Sequence, residues 1–325
     1  MKKALIIIGI IIGVIVLALL AYSLLQPVIY DKYYNNAQRE FGAAGLSDGM
    51  VPQGMAYIDG VFLQCGYMSD GKSASRIYIT SGESERYVEL LDADGNPYTG
   101  HTGGITAGEK YVWLANDGDT EDDNCVWVLD RSVLLDEGTT KIKLEKRFFA
   151  ESRGATCYAA NGYLYVGEYY NGARYTTKES HRFTTADGEQ NALICIYKID
   201  ESYPLGVAST VPLGAYSVCD QLQGIAVGED EIILSCSGGL ASSRLIKHKA
   251  PQGDADGSLE VNGTAVPVWF LDSTTLVDSV DMPPMSEGIV LKDGRVLVLY
   301  ESACHKYIFG ILTRGGDVYS YKFDK

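Results

Sequence analysis

Residues Gln223-Gly224-Ile225-Ala226-Val227-Gly228-Glu229-Asp230-Glu231-Ile232-Ile233-Leu234 decide how this chain folds. They read as a short apolar strand, a tight polar turn and a second strand that is apolar almost without interruption. Strands buried on both faces have that character. The same phrase recurs along the chain, and internal repeats are weighed before any local assignment. Its other copies open at Gln53-Gly54-Met55-Ala56, Gly103-Gly104-Ile105-Thr106, Arg153-Gly154-Ala155-Thr156 and Glu287-Gly288-Ile289-Val290.

The turns that follow include Asp59-Gly60, Asn161-Gly162 and Asp293-Gly294. Asx-Gly pairs mark hairpins because their turn type needs positive φ. A third β-rich element closes on an apolar residue and Asp at Leu91-Asp92, Leu129-Asp130, Ile199-Asp200, Leu271-Asp272 and Phe323-Asp324. Outer strands are expected after the second to fourth of these, within Lys141 to Phe148 and Thr274 to Asp281; the first repeat leaves room for only a short one. Five small antiparallel sheets cannot each bury both faces alone, but radial stacking does so. The expected fold is therefore all-β, a five-bladed β-propeller. Phe323-Asp324 ends the fifth unit without an outer strand, so the segment before Gln53 is expected to supply it and cover the open edge. Two β-sandwich domains would explain the strands but not the fivefold recurrence.

The chain begins differently. Lys2 and Lys3 precede 22 uncharged residues from Ala4 to Leu25, and Pro27 is expected to stop that helix. A span needs about 20 residues at 1.5 Å rise. A cleaved signal would be shorter and would end on small residues, whereas a cut after Ala21 puts Leu19 three residues upstream. The reading is a single transmembrane signal-anchor over residues 1–25, a stalk or ring-closing strand over 26–50 and a propeller over 51–325. The lysines favour a cytoplasmic N-terminus, with everything beyond extracytoplasmic. The net charge is −15, which excludes a nucleic-acid partner because phosphates need a basic footprint.

Antiparallel geometry locates the functional face. First strands leave, and second strands return to, one mouth of the central channel. The candidate ligand-binding residues are Gln53, Arg153, Glu168, Gln223, Glu287 and Glu301, a convergent polar set at a concavity. Arg153 is expected to hold its carboxylate neighbours in the charged form. The long connection 170–191, with its Tyr and Arg residues, is expected on the same side as a lid or extra hairpins. Asp117-Gly118-Asp119-Thr120-Glu121-Asp122-Asp123 lacks Ca²⁺-loop spacing and reads as a solvated turn. No cofactor is expected, a Ca²⁺ or other divalent ion being the alternative. Seven Cys with no CxxC exclude a zinc ribbon and leave at least one thiol unpaired. Cys304-His305 is not a nucleophile pair, since adjacent strand residues point to opposite faces.

The Ser286-Glu287-Gly288-Ile289 strand start and its fellows resemble the five- and six-bladed propeller superfamily that includes glutaminyl cyclotransferases and gluconolactonase-like enzymes, over residues 51–325. In lactonase-like members a Glu-Gly of this type supplies a metal ligand, and that resemblance implies such a role for Glu287. The expected function is a membrane-anchored propeller binding a small molecule or protein at its channel mouth. The alternative is a hydrolase or cyclotransferase-like enzyme, with Glu287 or Glu301 as acid/base or metal ligand, acting on a lactone, peptide terminus or sugar.

Overall fold

The computed structural model describes residues 2–118, 124–172, 174–308, 310–313 and 315–324. Five antiparallel sheets stand around one axis as the blades of a propeller. Blade 1 holds Met50–Ile58, Val61–Met68, Arg76–Ser81 and Ser84–Leu91. Blade 2 holds Thr102–Ala107, Tyr111–Asn116, Cys125–Asp130 and Lys146–Phe148. Blade 3 starts with Thr156–Ala160, Tyr163–Gly167, Ala192–Lys198 and Gly214–Val218. Blade 4 holds Leu222–Val227, Glu231–Cys236, Ser243–Lys249 and Leu276–Met282. Blade 5 holds Ser286–Lys292, Arg295–Tyr300 and Asp317–Tyr321, with Ala37–Gly42 as its outer strand. That last strand pairs antiparallel with Asp317–Tyr321 from Ala37↔Tyr321 to Gly42↔Asp317, so the two ends of the propeller close the ring together.

The recurrent glycine has a steric cause. A Cβ on Gly54 would lie 2.7 Å from the Cα of Gly104, and one on Gly104 would lie 2.6 Å from the amide nitrogen of Cys157. A Cβ on Gly224 would meet the Glu287 carbonyl oxygen at 2.7 Å, and one on Gly288 would meet the Met55 nitrogen at 2.8 Å. The innermost strands thus abut backbone to backbone. In blade 3 the residue in register with these glycines is Thr156, because Gly104 faces Thr156 and Cys157. The sequence repeat placed Gly154 there, two residues too early.

Outward from the axis the seams fill with side chains, and five clusters occupy the five gaps between neighbouring blades. Trp113, Phe148 and Tyr197 pack between blades 2 and 3. Leu63, Val88 and Leu114 do so between blades 1 and 2. Ile225, Leu234 and Ile194 fill the next seam. Tyr33, Tyr300 and Tyr321 lie between blades 4 and 5, and Met55, Leu297 and Val318 between blades 5 and 1. Each blade is a sheet with two buried faces, as the continuous apolar strands require.

Four expectations need correction. Blade 1 has a full outer strand, so Leu91 ends its fourth strand and not its third. Lys141–Lys143 adds to that outer strand in parallel, while Lys146–Phe148 closes blade 2. Thr264–Phe270 is not part of blade 4. With Gly257–Val261 it crosses over and extends blade 3 through a parallel pairing with Gly214–Val218. Pro27 does not stop the first helix, which runs Lys2–Ile29. Proline removes its own N–H donor and crowds the preceding turn, yet the helix continues past it and the Tyr30 N–H still bonds the Gln26 carbonyl at 3.0 Å. Within 26–50 the ring-closing alternative holds, at Ala37–Gly42. Asp31–Asn36 forms a short helix that buries Tyr33, whose ring stacks on Tyr321 at 5.4 Å.

The glycine contacts generate a test. Gly288→Ala should cost about 1–3 kcal/mol, since the new methyl meets backbone that cannot yield without opening the ring. Gly42→Ala, with only the Asp317 carboxylate at 4.0 Å nearby, should be almost silent. Equal denaturation midpoints for the two variants would contradict this packing.

Candidate functional site

A register irregularity precedes the glycine in four blades. It falls between Pro52 and Gly54, Thr102 and Gly104, Leu222 and Gly224, and Ser286 and Ile289. A bulge re-aims a side chain that would otherwise follow the strand's alternation. Here the re-aimed residues include Gln53, Gln223 and Glu287, all at the mouth. The Gln53 Nε2 donates to Glu301 Oε2 at 2.8 Å and to the Pro52 carbonyl at 2.9 Å. The Gln223 Nε2 donates to Glu287 Oε1 at 3.3 Å. Glu301 follows the second strand of blade 5, and its N–H is held by the Met285 carbonyl at 3.0 Å.

The Glu287 and Glu301 carboxyls are buried neighbours, each acting on the protonation of the other. Burial raises the Glu287 carboxyl well above its ordinary value, and the neighbouring Glu301 charge raises it further. Burial also pushes Glu301 up, to about 7, although Gln53, Lys306 and Tyr307 favour its charged form. Two carboxyls this close cannot both ionise cheaply, so the pair retains a proton at neutral pH.

A cavity of about 790 Å³ opens over the pair, with Gln53, Gln223 and Glu301 in its lining. Tyrosines supply much of the remaining wall. The Lys306 ammonium sits 4.6 Å above the Tyr67 ring and 5.4 Å from that of Tyr307, and donates to the Tyr67 hydroxyl. His101 packs against Tyr67 at 5.2 Å. Burial, then the Lys306 charge, pulls its imidazole down to about 4 and keeps it neutral. Its Nδ1 is buried without a hydrogen-bond partner. Tyr169 and Tyr175 meet edge to face at 5.4 Å on the same lining.

Arg153 and Glu168 stand in an adjoining cluster. Arg153 grips Asp117 Oδ1 through Nε at 2.9 Å and Nη2 at 2.6 Å, and donates to the Gly118 carbonyl at 2.9 Å. Glu168 is fully buried and accepts from the Leu193 N–H at 3.0 Å, the Arg153 N–H at 3.3 Å and the His181 ring at 2.9 Å. Burial lowers the His181 pKa, but hydrogen bonds to Glu151 and Glu168 outweigh it and hold the imidazole at about 9. These groups line a second cavity of about 530 Å³. Asp117 lines the first and Arg153 the second, so their ion pair forms the wall between them.

The six candidate residues therefore divide. Gln53 with Glu301 and Gln223 with Glu287 form two hydrogen-bonded pairs whose carboxyls interact, and Arg153 with Glu168 belongs to another cluster. The expectation that Arg153 lowers the carboxylate pKa values at this mouth fails for Glu287 and Glu301, which are raised. The Arg153 guanidinium is spent on Asp117 instead. Tyr67, His101, Lys306 and Tyr307 were missed. Tyr67 occupies in blade 1 the second-strand end that Glu301 follows in blade 5, which is the signal that would have found it. The connection 170–191 does carry an extra hairpin, Phe183–Thr185 with Gly188–Gln190. Asp119 to Asp123 of the acidic turn lie outside the described residues. Among the described residues no three His, Cys, Asp or Glu side chains converge on a common point. Glu287, engaged with one carboxyl and one amide, does not match the metal site that the resemblance implied. Cys304 is buried and its thiol is raised by that burial, which suits an inert side chain.

Fold and mouth together define a five-bladed β-propeller with a polar, tyrosine-walled cavity at one end of its axis. No family model matches the sequence, and no curated protein matches it. An exo-β-1,3-galactanase from Phanerochaete chrysosporium with bound β-1,3-galactotriose shares 13% identity over 88% of this chain, at a TM-score of 0.49. This chain spans 64% of the galactanase's length. A GH43_1 enzyme from Xanthomonas citri shares 12% identity, covering 89% of this chain and 92% of its own, at a TM-score of 0.48. A protein described as a putative oxidoreductase (glucose dehydrogenase) from Thermus thermophilus shares 14%, covering 87% and 98%, at 0.44.

The carboxyl pair predicts a pH dependence. A carboxyl whose folded pKa lies above its unfolded value stabilises the fold at low pH and loses that advantage as pH rises. Between the ordinary 4.5 and about 7, the wild type should lose stability relative to Glu301→Gln. The loss should be on the order of 2–3 kcal/mol. Chemical denaturation of both proteins across that range measures it, and parallel curves would refute the raised pKa.

Proposed function

We propose that this chain is a membrane-anchored propeller that binds a hydroxyl-rich, saccharide-like ligand at its mouth. The observation that carries the reading is the cavity of about 790 Å³, in which tyrosine rings and a convergent polar set face the same space. Aromatic faces take the C–H side of a sugar ring, and Tyr hydroxyls remain available as polar handles. Glu301 and Asp117 accept from ligand hydroxyls, whereas Gln53 and Lys306 donate to ligand oxygens. Anchoring is supported by the apolar stretch Ile6–Ile29, 24 residues of mean hydropathy 2.9 with none of its most apolar window buried. With Lys2 and Lys3 on the cytoplasmic side, the propeller lies outside. Its acidity argues against a nucleic-acid partner.

A second reading has one specific observation in its favour. Glu301 titrates near 7 beside a carboxyl that stays protonated, which suits acid/base catalysis. The geometry restricts the chemistry. Glycosidase carboxyl groups stand apart across the scissile bond, at about 5–5.5 Å or about 6.5–9.5 Å, while these two are buried side by side, with only Glu301 in the cavity lining. Were there turnover, the pair would act as a single proton-carrying unit and not as an opposed acid and base.

The test is calorimetric titration of the full chain in detergent micelles with a panel of neutral and acidic oligosaccharides, followed by product analysis. A ligand from the panel should bind, and Tyr307→Ala should weaken it by about tenfold or more, while Val133→Ala at the far end of blade 2 leaves it unchanged. Binding by no member of the panel would overturn the saccharide reading. Products that disappear in Glu301→Gln, with binding retained, would replace it with the enzymatic one.

A further inference from the structure

We propose that the mouth of the propeller faces the bilayer and is seated on it by the loop tips Ile308 and Leu240, so that its ligand is one displayed at the membrane surface. This rests on the anchored reading and extends it, because an anchor alone does not say which face of the propeller is turned to the lipid.

The first observation is where the apolar helix joins the domain. Over its last turns a single stripe, Ser23, Gln26, Pro27 and then Tyr30, is withdrawn from solvent, and Gln26 is completely buried. The helix lies against Gly310–Thr313, and the Tyr30 hydroxyl meets Ser242 Oγ at 3.1 Å. Both partners belong to connections between the second and third strands of blades 5 and 4. The second strands Arg295–Tyr300 and Glu231–Cys236 run toward the mouth, so both connections are on the mouth side. The connection in blade 5 also carries Glu301, Lys306 and Tyr307 of the cavity wall.

The second observation is what the same turns expose. Leu24 is 68% exposed, Val28 69% and Ile29 49%, on the helix face away from the domain. An apolar span keeps such residues in lipid. Tyr30 is already buried against the propeller, so no slack separates the last lipid-facing turn from the domain. The turn that exposes Val28 and Ile29 is therefore level with the mouth-side connections. Those two connections present their own apolar tips, Ile308 at 81% exposure and Leu240 at 57%. Apolar side chains at the end of an anchor insert readily into the headgroup–acyl boundary. The far end of the propeller, with Asp59-Gly60, Asn161-Gly162 and Asp293-Gly294, is then remote from the membrane.

Tryptophan reporters test this in the full chain reconstituted into phosphatidylcholine vesicles with brominated acyl chains, against the same vesicles without bromine. Four variants are compared with the parent, whose native Trp113, Trp127 and Trp269 give a common background. Val14→Trp reports the span, Ile308→Trp and Leu240→Trp the mouth, and Tyr203→Trp the far end. The expected result is loss of the added emission at positions 14, 308 and 240 and none at 203. Quenching at 14 without quenching at 308 and 240 would overturn the orientation and leave the anchor standing. No quenching at 14 would overturn the anchor itself, and the orientation with it. Quenching at 203 as well would show that no face is preferred and would also defeat the inference.

Discussion

Everything in this ring depends on how closely five innermost strands approach one another. At Gly54, Gly104, Gly224 and Gly288 the neighbour's main chain lies where a Cβ would be, 2.6–2.8 Å away in each case. Real Cβ atoms do not occupy such distances, so the contact can be made only by glycine. A wider ring would relax that constraint but leave the seams short of apolar filling. The repeat visible in the sequence is thus the footprint of a packing distance. Its one exception, Thr156, is confined to the seam between blades 3 and 4.

The same constraint shapes the mouth. A bulge immediately before the glycine turns Gln53, Gln223 and Glu287 toward the axis. With five blades the axis is narrow, so these side chains and Glu301 are forced into contact. That contact, together with burial, raises both carboxyls. Blade 3 contributes no polar side chain to this contact. With Thr156 in the glycine's place, the residue just before it is Ala155, which lines the cavity without a polar group, and Arg153, two positions further back, turns to Asp117.

Legibility in the sequence follows the range of the interaction. Hairpins were readable because Asp59, Asn161 and Asp293, each followed by Gly, adopt the positive φ that their turns require. The closing strand was readable from a deficit in the last repeat. What could not be read was which edge an outer strand joins. Thr264–Phe270 has the composition of a blade 4 strand, yet it pairs with Gly214–Val218 of blade 3. That choice is made by surfaces far apart in the chain, and local propensity carries no trace of it. The candidate site was half readable for the same reason. Glu287 and Gln53 announce themselves beside the glycines, whereas Lys306 and Tyr307 reach the cavity from a connection with no repeat to mark it.

Closure by Ala37–Gly42 has a consequence for how the ring is held. Its partner strand, Asp317–Tyr321, lies at the opposite end of the propeller sequence. Joining the two closes a loop nearly as long as the domain, at an entropic cost of about 5 kcal/mol beyond a length-independent constant. The pairing is not left to backbone hydrogen bonds alone. Tyr33, just before the strand, stacks on Tyr321, and the Arg295 guanidinium bonds the Asn36 carbonyl at 3.0 Å and the Ser320 carbonyl at 2.8 Å. These contacts fasten the segment between the apolar helix and the closing strand to blade 5. Because Tyr30 is already buried where that segment starts, a displacement of the helix cannot be absorbed by a slack linker. It is passed on to the connection that carries Glu301, Lys306 and Tyr307, against which the helix packs, so the mouth cavity and the apolar helix are mechanically linked.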